Sequence, residues 1–241
     1  MRSSGFQARQ ELQQSIKVEA NSPGNIARTL LAPFESMSYP SRMFIPEISV
    51  HVFARGLNGQ SIVRDEDDAE HLRRVVTDTA VEFDVWIHAY AFMSTHYHLI
   101  VTPANERALP RTMQVAGGRH TKYFNRKYKR RGTIWNERYG GVLLTDEHYR
   151  YTCLRYVDLN PYRAHVVSAP EDSYWSSYRV HAFGEPREGL TPHPLYLKLG
   201  ATSQERQAAY RAMCDRPLTD DELELHGHPP REPLIQLPVA I

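Results

Sequence analysis

Val85-Trp86-Ile87-His88-Ala89-Tyr90-Ala91-Phe92, then Met93-Ser94-Thr95, then His96-Tyr97-His98-Leu99-Ile100-Val101-Thr102 is the stretch on which the fold turns. Two runs rich in β-branched and aromatic residues flank a three-residue break, the pattern of an antiparallel hairpin. Strand side chains alternate faces, so His96 and His98 project from one side while Tyr97, Leu99 and Val101 point into a core. Two imidazoles so placed can share one metal ion. Taken alone, the pattern fits equally well two polar residues on the open face of a sheet. Its weight comes from a second element about sixty residues downstream.

That element is Thr145-Asp146-Glu147-His148-Tyr149-Arg150-Tyr151-Thr152-Cys153-Leu154-Arg155-Tyr156-Val157-Asp158-Leu159-Asn160-Pro161. Thr145 is placed to cap a helix, and Asp146 and Glu147 suit the positive end of its dipole. Pro161 disfavours helical geometry at the residue before it, which predicts an end near Asn160. Within those limits Tyr149, Cys153, Tyr156 and Asn160 recur at three- and four-residue steps and share a face. A phenol beside a carboxamide, both turned toward a two-histidine strand, makes a compact metal and nucleophile site. The same stripe by itself also fits a helix packed on the sheet with Tyr156 as a core aromatic.

Residues 48–54 alternate as a strand. Residues 65–83 carry the stripe Leu72, Val75, Val76, Thr79 and Phe83 of an amphipathic helix. A helix follows over 108–128, with Gly117-Gly118 as a weak point, and then a strand over 134–144. The order strand, helix, strand, strand, helix, strand, helix predicts an α+β fold: a ferredoxin-like antiparallel sheet backed by helices, with one face left for ligand. Residues 1–39 read as an N-terminal extension with a short helix over 7–18, and Met37 offers an alternative start. The catalytic domain is expected over 40–184. Residues 185–241 read as a Pro-rich, acidic C-terminal tail with helices near 203–213 and 219–226.

Hydrophobic content of 41% and charged content of 24% are ordinary for a globular chain of 241 residues. The net charge of +1 does not announce a nucleic-acid binder, but its distribution does. Residues 107–136 hold nine basic side chains and no acidic one. Charge runs of solvated helices are usually mixed, so phosphate contact is the better reading for Arg111, Arg119, Lys122, Arg126, Lys127, Lys129, Arg130 and Arg131. Tyr123, Phe124, Tyr128 and Trp135 nearby could stack on bases or fill the core. Cys153 and Cys214 form no disulfide framework and no CxxC pair. No apolar run approaches the roughly twenty residues of a membrane span, and the N-terminus lacks a secretory signal. The composition points to a soluble, cytoplasmic protein.

With these pieces in order the sequence resembles the single-tyrosine HUH transposases, the insertion-sequence 200/605-like group, and most of all their REP-associated tyrosine transposase branch. The resemblance runs from about Pro40 to Gly184. It includes His51-Val52 with Arg55-Gly56, and Ala89-Tyr90-Ala91-Phe92-Met93 leading into His96-Tyr97-His98. It continues through Tyr123-Phe124-Asn125, Gly132-Thr133-Ile134-Trp135, Arg155-Tyr156-Val157-Asp158-Leu159-Asn160-Pro161-Tyr162-Arg163-Ala164 and Trp175-Ser176-Ser177-Tyr178. The resemblance implies the HUH endonuclease fold, with His96 and His98 as ligands of a divalent metal, Mg2+ or Mn2+. It makes Tyr156 the nucleophile, leaving a 5′-phosphotyrosine and a free 3′-hydroxyl, and Asn160 a third, polar ligand. It implies single-stranded or hairpin DNA at repeats or element ends as partner, a bacterial nucleoid setting, and a homodimer as one arrangement, with the tyrosine in cis or from the partner subunit. Thr95 stands where the family commonly has Asn, Tyr97 where it has an apolar residue, and Tyr162 where it has a small one.

The chemistry is coherent in physical terms. A free tyrosine has a pKa near 10 and is a poor nucleophile at neutral pH. A divalent cation on the scissile phosphate screens its charge and aligns the oxygens for in-line attack. Hard cations favour oxygen, so Asn160 and phosphate oxygens move a two-imidazole site away from zinc. Two rivals stay open at this stage: a non-catalytic or domesticated repeat-DNA-binding regulator on the same fold, and a metal-dependent hydrolase in which water attacks.

Overall fold

A computed structural model of the chain describes residues 45–227. The first strand, β1 (Val50–Arg55), alternates as its sequence does, with Val50, Val52 and Ala54 buried in the core. Asp65 then caps helix α1 (Glu66–Glu82), its carboxylate accepting the Asp68 backbone N–H at 3.0 Å. Glu66, Asp67 and Asp68 follow in the first turn, where negative charge meets the helix dipole favourably. The hairpin forms as β2 (Val85–Phe92) and β3 (His96–Pro103), and helix α2 (Ala108–Lys127) follows. Strand β4 (Gly140–Leu143) and helix α3 (Glu147–Asp158) complete the predicted order. The sheet runs β2-β3-β1-β4 with every pairing antiparallel, the ferredoxin-like arrangement expected.

Both faces of the sheet are covered, which corrects the expectation of one open face. Leu72, Val76 and Ala80 of α1, with Leu109, Met113, Ala116 and Phe124 of α2, pack on Val50, Val52, Tyr97, Leu99 and Val101. On the other side Ala89, Ala91 and Ile100 meet Leu144, Cys153, Leu154, Tyr156 and Val157. The alanines of β2 are small enough to let α3 lie close against the strands.

Three local expectations change. The segment 134–144 is a strand only over Gly140–Leu143. Its first part makes a single bridge, Gly56 to Trp135, because the exposed Asn136, Glu137 and Arg138 break the alternation. Gly117 is no weak point: its carbonyl accepts the Trp135 indole N–H at 3.1 Å, and a Cβ there would sit 3.3 Å from that nitrogen. The cap of α3 is Asp146 rather than Thr145, accepting the Tyr149 N–H at 2.9 Å. That helix ends at Asp158, and a short helix α4 (Asn160–Arg163) starts after Leu159 with Pro161 in its first turn.

The expected boundary at 184 does not separate a tail. Strand β2 is an edge strand, and later segments satisfy its free backbone groups. The Phe92 N–H donates to the Trp175 carbonyl at 2.9 Å, Ser177 N–H to Tyr90 at 3.0 Å, and Thr191 N–H to Ile87 at 2.8 Å. Helices α5 (Tyr178–Phe183), α6 (Pro194–Leu197) and α7 (Ser203–Cys214) then build a third cluster from Leu159, Tyr178, Ala182, Tyr196, Tyr210 and Cys214. At its centre the Asp158 carboxylate accepts from His181 Nδ1 at 2.7 Å, from the Tyr210 hydroxyl at 2.6 Å, and from the Ser177 hydroxyl. From helix α8 (Asp220–Gly227), Glu222 pairs with the buried Arg155 at 3.3 Å.

A second polar chain ties residues 191–195 to the sheet. The Leu195 N–H donates to His193 Nδ1, so His193 Nε2 carries the proton and donates to Ser49 Oγ at 2.9 Å. Ser49 bonds Thr102 at 2.9 Å, and Thr102 bonds His88 Nε2 at 2.8 Å. His88 Nδ1–H donates to the Thr191 carbonyl at 2.8 Å. No helix among the described residues is long and apolar enough to cross a membrane. The expected extension 1–39, its helix and the alternative start at Met37 lie outside the described residues, as does the end of the chain from 228.

Candidate active site

Register brings the site together. β1 and β3 pair with Phe53 opposite His98 and Arg55 opposite His96, so these residues and His51 share one face. Helix α3 crosses that face with Tyr156 turned inward. Its ring stands edge-on to His98, centroids 5.4 Å apart, and to His51 at 6.0 Å. The His96 and His98 rings lie 5.1 Å apart and nearly perpendicular. Asn160, one turn after Tyr156, places its carboxamide within hydrogen-bonding reach of both His96 and the Tyr156 hydroxyl. Arg163 completes the group, its guanidinium carbon 5.2 Å from the Tyr156 ring centre and its N–H groups in reach of the phenol oxygen.

The environment sets the protonation states. Burial pushes the His96 imidazole below its ordinary pKa, the charge of Arg55 adds to this, and the Asn160 contact partly opposes it. A neutral His96 keeps the lone pair a metal needs. Its Nδ1 meets the Thr95 hydroxyl at 3.1 Å, and His98 Nδ1 meets His51 Nε2 at 3.0 Å. Burial raises the Tyr156 phenol, while the charge of Arg163 and hydrogen bonds from Arg163 and Asn160 work against that rise. The phenol is therefore protonated at rest, beside a cation able to offset the charge it acquires on attack.

The donor set suits a hard or borderline divalent ion: two imidazoles and a carboxamide oxygen, with room in the chemistry for phosphate oxygens. Among the described residues no group of three or more His, Cys, Asp or Glu is placed to hold a metal. A cation here would depend on Asn160 and on the substrate to complete its shell.

The eight basic residues expected to contact DNA do not converge on this site. Helix α2 lies on the opposite face of the sheet. Arg119 pairs with Glu82 at 3.0 Å, and Lys127 is held by Asp65 at 2.6 Å and Asp68 at 2.8 Å. Arg130 is half-buried over the Phe124 ring. Arg111, Lys122, Arg126, Lys129 and Arg131 are exposed. Among the neighbouring aromatics Phe124 is fully buried, and Tyr123, Tyr128 and Trp135 pack against the core.

Sequence reasoning gave no role to His51 or Arg163. For His51 the signal was a lone imidazole at a polar position of an alternating strand, unreadable without the register of β1 on β3. For Arg163 it was the spacing of 156, 160 and 163, the three- and four-residue steps that bring side chains to one side of a helical stretch. Pro161 concealed it by suggesting that the chain turned away.

Residues 45–160 match the sequence family described as "Transposase IS200 like". Among solved structures, a REP-associated tyrosine transposase bound to a REP hairpin superposes with a TM-score of 0.52 at 16% identity, over 65% of this chain and 93% of that one. That likeness establishes the shared fold. A protein of Deinococcus radiodurans R1 assigned as a transposase aligns with a TM-score of 0.36 at 18% identity, over 47% of this chain and 91% of that one. No curated protein sequence matches the chain.

Proposed function

With residues 45–160 belonging to the IS200-like transposase family, we propose that this chain cuts and rejoins single-stranded DNA through a covalent bond to Tyr156. The observation that carries the reading is the convergence of Tyr156, His98 and Asn160 from separate elements onto one end of the sheet. The Tyr156 ring lies 5.4 Å, centre to centre, from His98 of its own chain, which supports attack in cis.

His96, His98 and Asn160 would hold the divalent ion, Mg2+ or Mn2+, which supplies charge screening on the scissile phosphate when bound. The Tyr156 oxygen forms the new O–P bond as the P–O3′ bond breaks. The phenol proton goes to solvent, and the departing 3′ oxygen takes one up to become a hydroxyl. Arg163 offsets negative charge on the phenol oxygen during attack, and again when a second strand's 3′-hydroxyl displaces it. The phosphotyrosine ester preserves the energy of the phosphodiester, so joining needs no nucleotide cofactor.

Hairpin DNA is the substrate class this reading favours, supported by the REP hairpin held by the structure that shares the fold. Arg111, Lys122, Arg126, Lys129 and Arg131 would contact phosphates on the far face of the sheet, while Arg119 and Lys127 serve chiefly to join α2 to α1. The setting is the bacterial cytoplasm, at the nucleoid.

The test uses a labelled single-stranded hairpin oligonucleotide, Mn2+ and the full chain, followed by denaturing electrophoresis. The expected result is a protein–DNA adduct that is lost in Tyr156→Phe. Binding without cleavage would favour a regulator on this fold, and cleavage that survives Tyr156→Phe would favour attack by water. Either outcome overturns the proposal.

A further inference from the structure

His51 lies 47 residues before His98 in the sequence, yet its Nε2 stands 3.0 Å from His98 Nδ1. The rings are stacked, with centroids 5.1 Å apart. A hydrogen bond between two imidazole nitrogens needs one protonated and one bare partner, so one ring donates and the other accepts. Only one of the two arrangements suits the reading above, on which this inference rests. If His98 Nδ1–H donates, His98 Nε2 carries the lone pair and can meet a metal. If His51 Nε2–H donates, His98 must carry its proton on Nε2 and is closed to one.

We propose that His51 is a positioning residue that accepts the His98 Nδ1–H, fixing the tautomer and ring orientation in which His98 binds the divalent ion. The burial of the pair gives the contact its force. His51 is 2% exposed and His98 8%, so bulk water cannot replace the acceptor if it is removed. Thr95 meets His96 at the matching atom, Nδ1, at 3.1 Å. Both rings are thus held through Nδ1 by the protein's own groups, and both would meet the ion through Nε2. Partners of this kind, one bond removed from the metal, orient the ligand and raise its basicity. The backbone holds His51 in place: its strand position is opposite Ile100 and also pairs with Val142 of β4, so the ring is carried by the middle of the sheet.

The experiment uses the full chain labelled with 15N-histidine, as wild type, His51→Gln and His51→Phe. Long-range 1H–15N spectra of the metal-free protein report the tautomer at His98, and electron paramagnetic resonance reports Mn2+ binding. A glutamine carbonyl can stand near the Nε2 position and accept the same proton, whereas phenylalanine keeps the ring volume and offers no acceptor. The expected result is a Nδ1–H tautomer at His98 in wild type and in His51→Gln, with Mn2+ affinity in the latter close to wild type. In His51→Phe the Nε2–H form appears and Mn2+ affinity falls by about 10- to 100-fold. An Nε2–H tautomer at His98 in wild type, or unchanged Mn2+ affinity in His51→Phe, overturns the proposal. Wild-type protein that binds no Mn2+ at all would instead remove the metal reading itself, and shows before any variant is compared. Should His51→Phe fail to fold, the wild-type tautomer alone still decides.

Discussion

Asp158→Ala should be among the most damaging single changes in this domain, although Asp158 touches neither histidine of the site. Its carboxylate is fully buried and accepts three hydrogen bonds, from His181, Tyr210 and Ser177, each on a segment past the end of α3. Hydrogen bonds to a charged group contribute about 1.5–3 kcal/mol each. The gain from no longer burying the carboxylate offsets part of their sum, and broken buried pairs typically cost about 3–5 kcal/mol. We expect a loss of about 4 kcal/mol, which for a domain of this size lowers Tm by about 8–16 °C. Tyr210→Phe removes one of the three bonds and keeps the ring, and should cost about 1.5 kcal/mol. Calorimetry and urea unfolding of the full chain measure both. Asp→Ala discards little apolar contact, so a packing-only account predicts less than about 1 kcal/mol. A loss that small would refute the claim that this carboxylate anchors the tyrosine helix.

Acid should weaken the fold well above the carboxylate range. Burial holds His88 down to about 4 and His193 down to about 3, against about 6.5 in an unfolded chain. The unfolded state then binds more protons between those values, so this contribution is full above about pH 6.5 and is lost as pH falls. The slope is at most about 1.4 kcal/mol per pH unit for each histidine; because burial also holds His120 down to about 4, it should fall by no more than about a third in His193→Ala when urea midpoints at pH 7, 6 and 5 are compared. At lower pH, Asp65 adds a second loss. Its folded pKa of about 2 is set first by Lys127, so its contribution is present above about 4 and disappears toward 2, a decline that Lys127→Met should flatten. On the DNA side, Lys122→Ala with Arg126→Ala should weaken hairpin binding and flatten its salt dependence more than Arg119→Ala, whose guanidinium is engaged by Glu82. Equal effects in a filter-binding salt titration would contradict the division drawn across α2.

Much of the framework was legible in the chain because it is written in local periodicity. Alternation marked β2 from Val85 to Phe92 to the residue, and placed His96 and His98 on the side opposite Tyr97 and Leu99. The four-residue step from Tyr156 to Asn160 predicted the shared face that now bears on the histidines. Helix ends read less well, because Asp146 and Thr145 are both good caps and the choice depends on which carboxyl or hydroxyl oxygen meets the Tyr149 N–H.

What the sequence by itself determined was the type and order of the main elements, and the shared side of His96 with His98 and of Tyr156 with Asn160, since each follows from spacing along one short stretch of chain. Tertiary structure alone decided everything that required two distant segments to meet. The register of β1 on β3 put His51 against His98, a contact spanning 47 residues. The acidic start of α1 neutralised Lys127 of the basic helix, and the packing of α1 and α2 on one side of the sheet set most of that helix's charge apart from the tyrosine. The free edge of β2 is met by Trp175 and Ser177 and, past 184, by Thr191, and Tyr196, Tyr210 and Cys214 from the Pro-rich, acidic stretch that reads locally as a tail pack with Leu159, Tyr178 and Ala182. Composition reports what a segment could bury by itself. An unpaired strand edge and a buried carboxylate report what it must bury against, and only the folded chain brings them face to face.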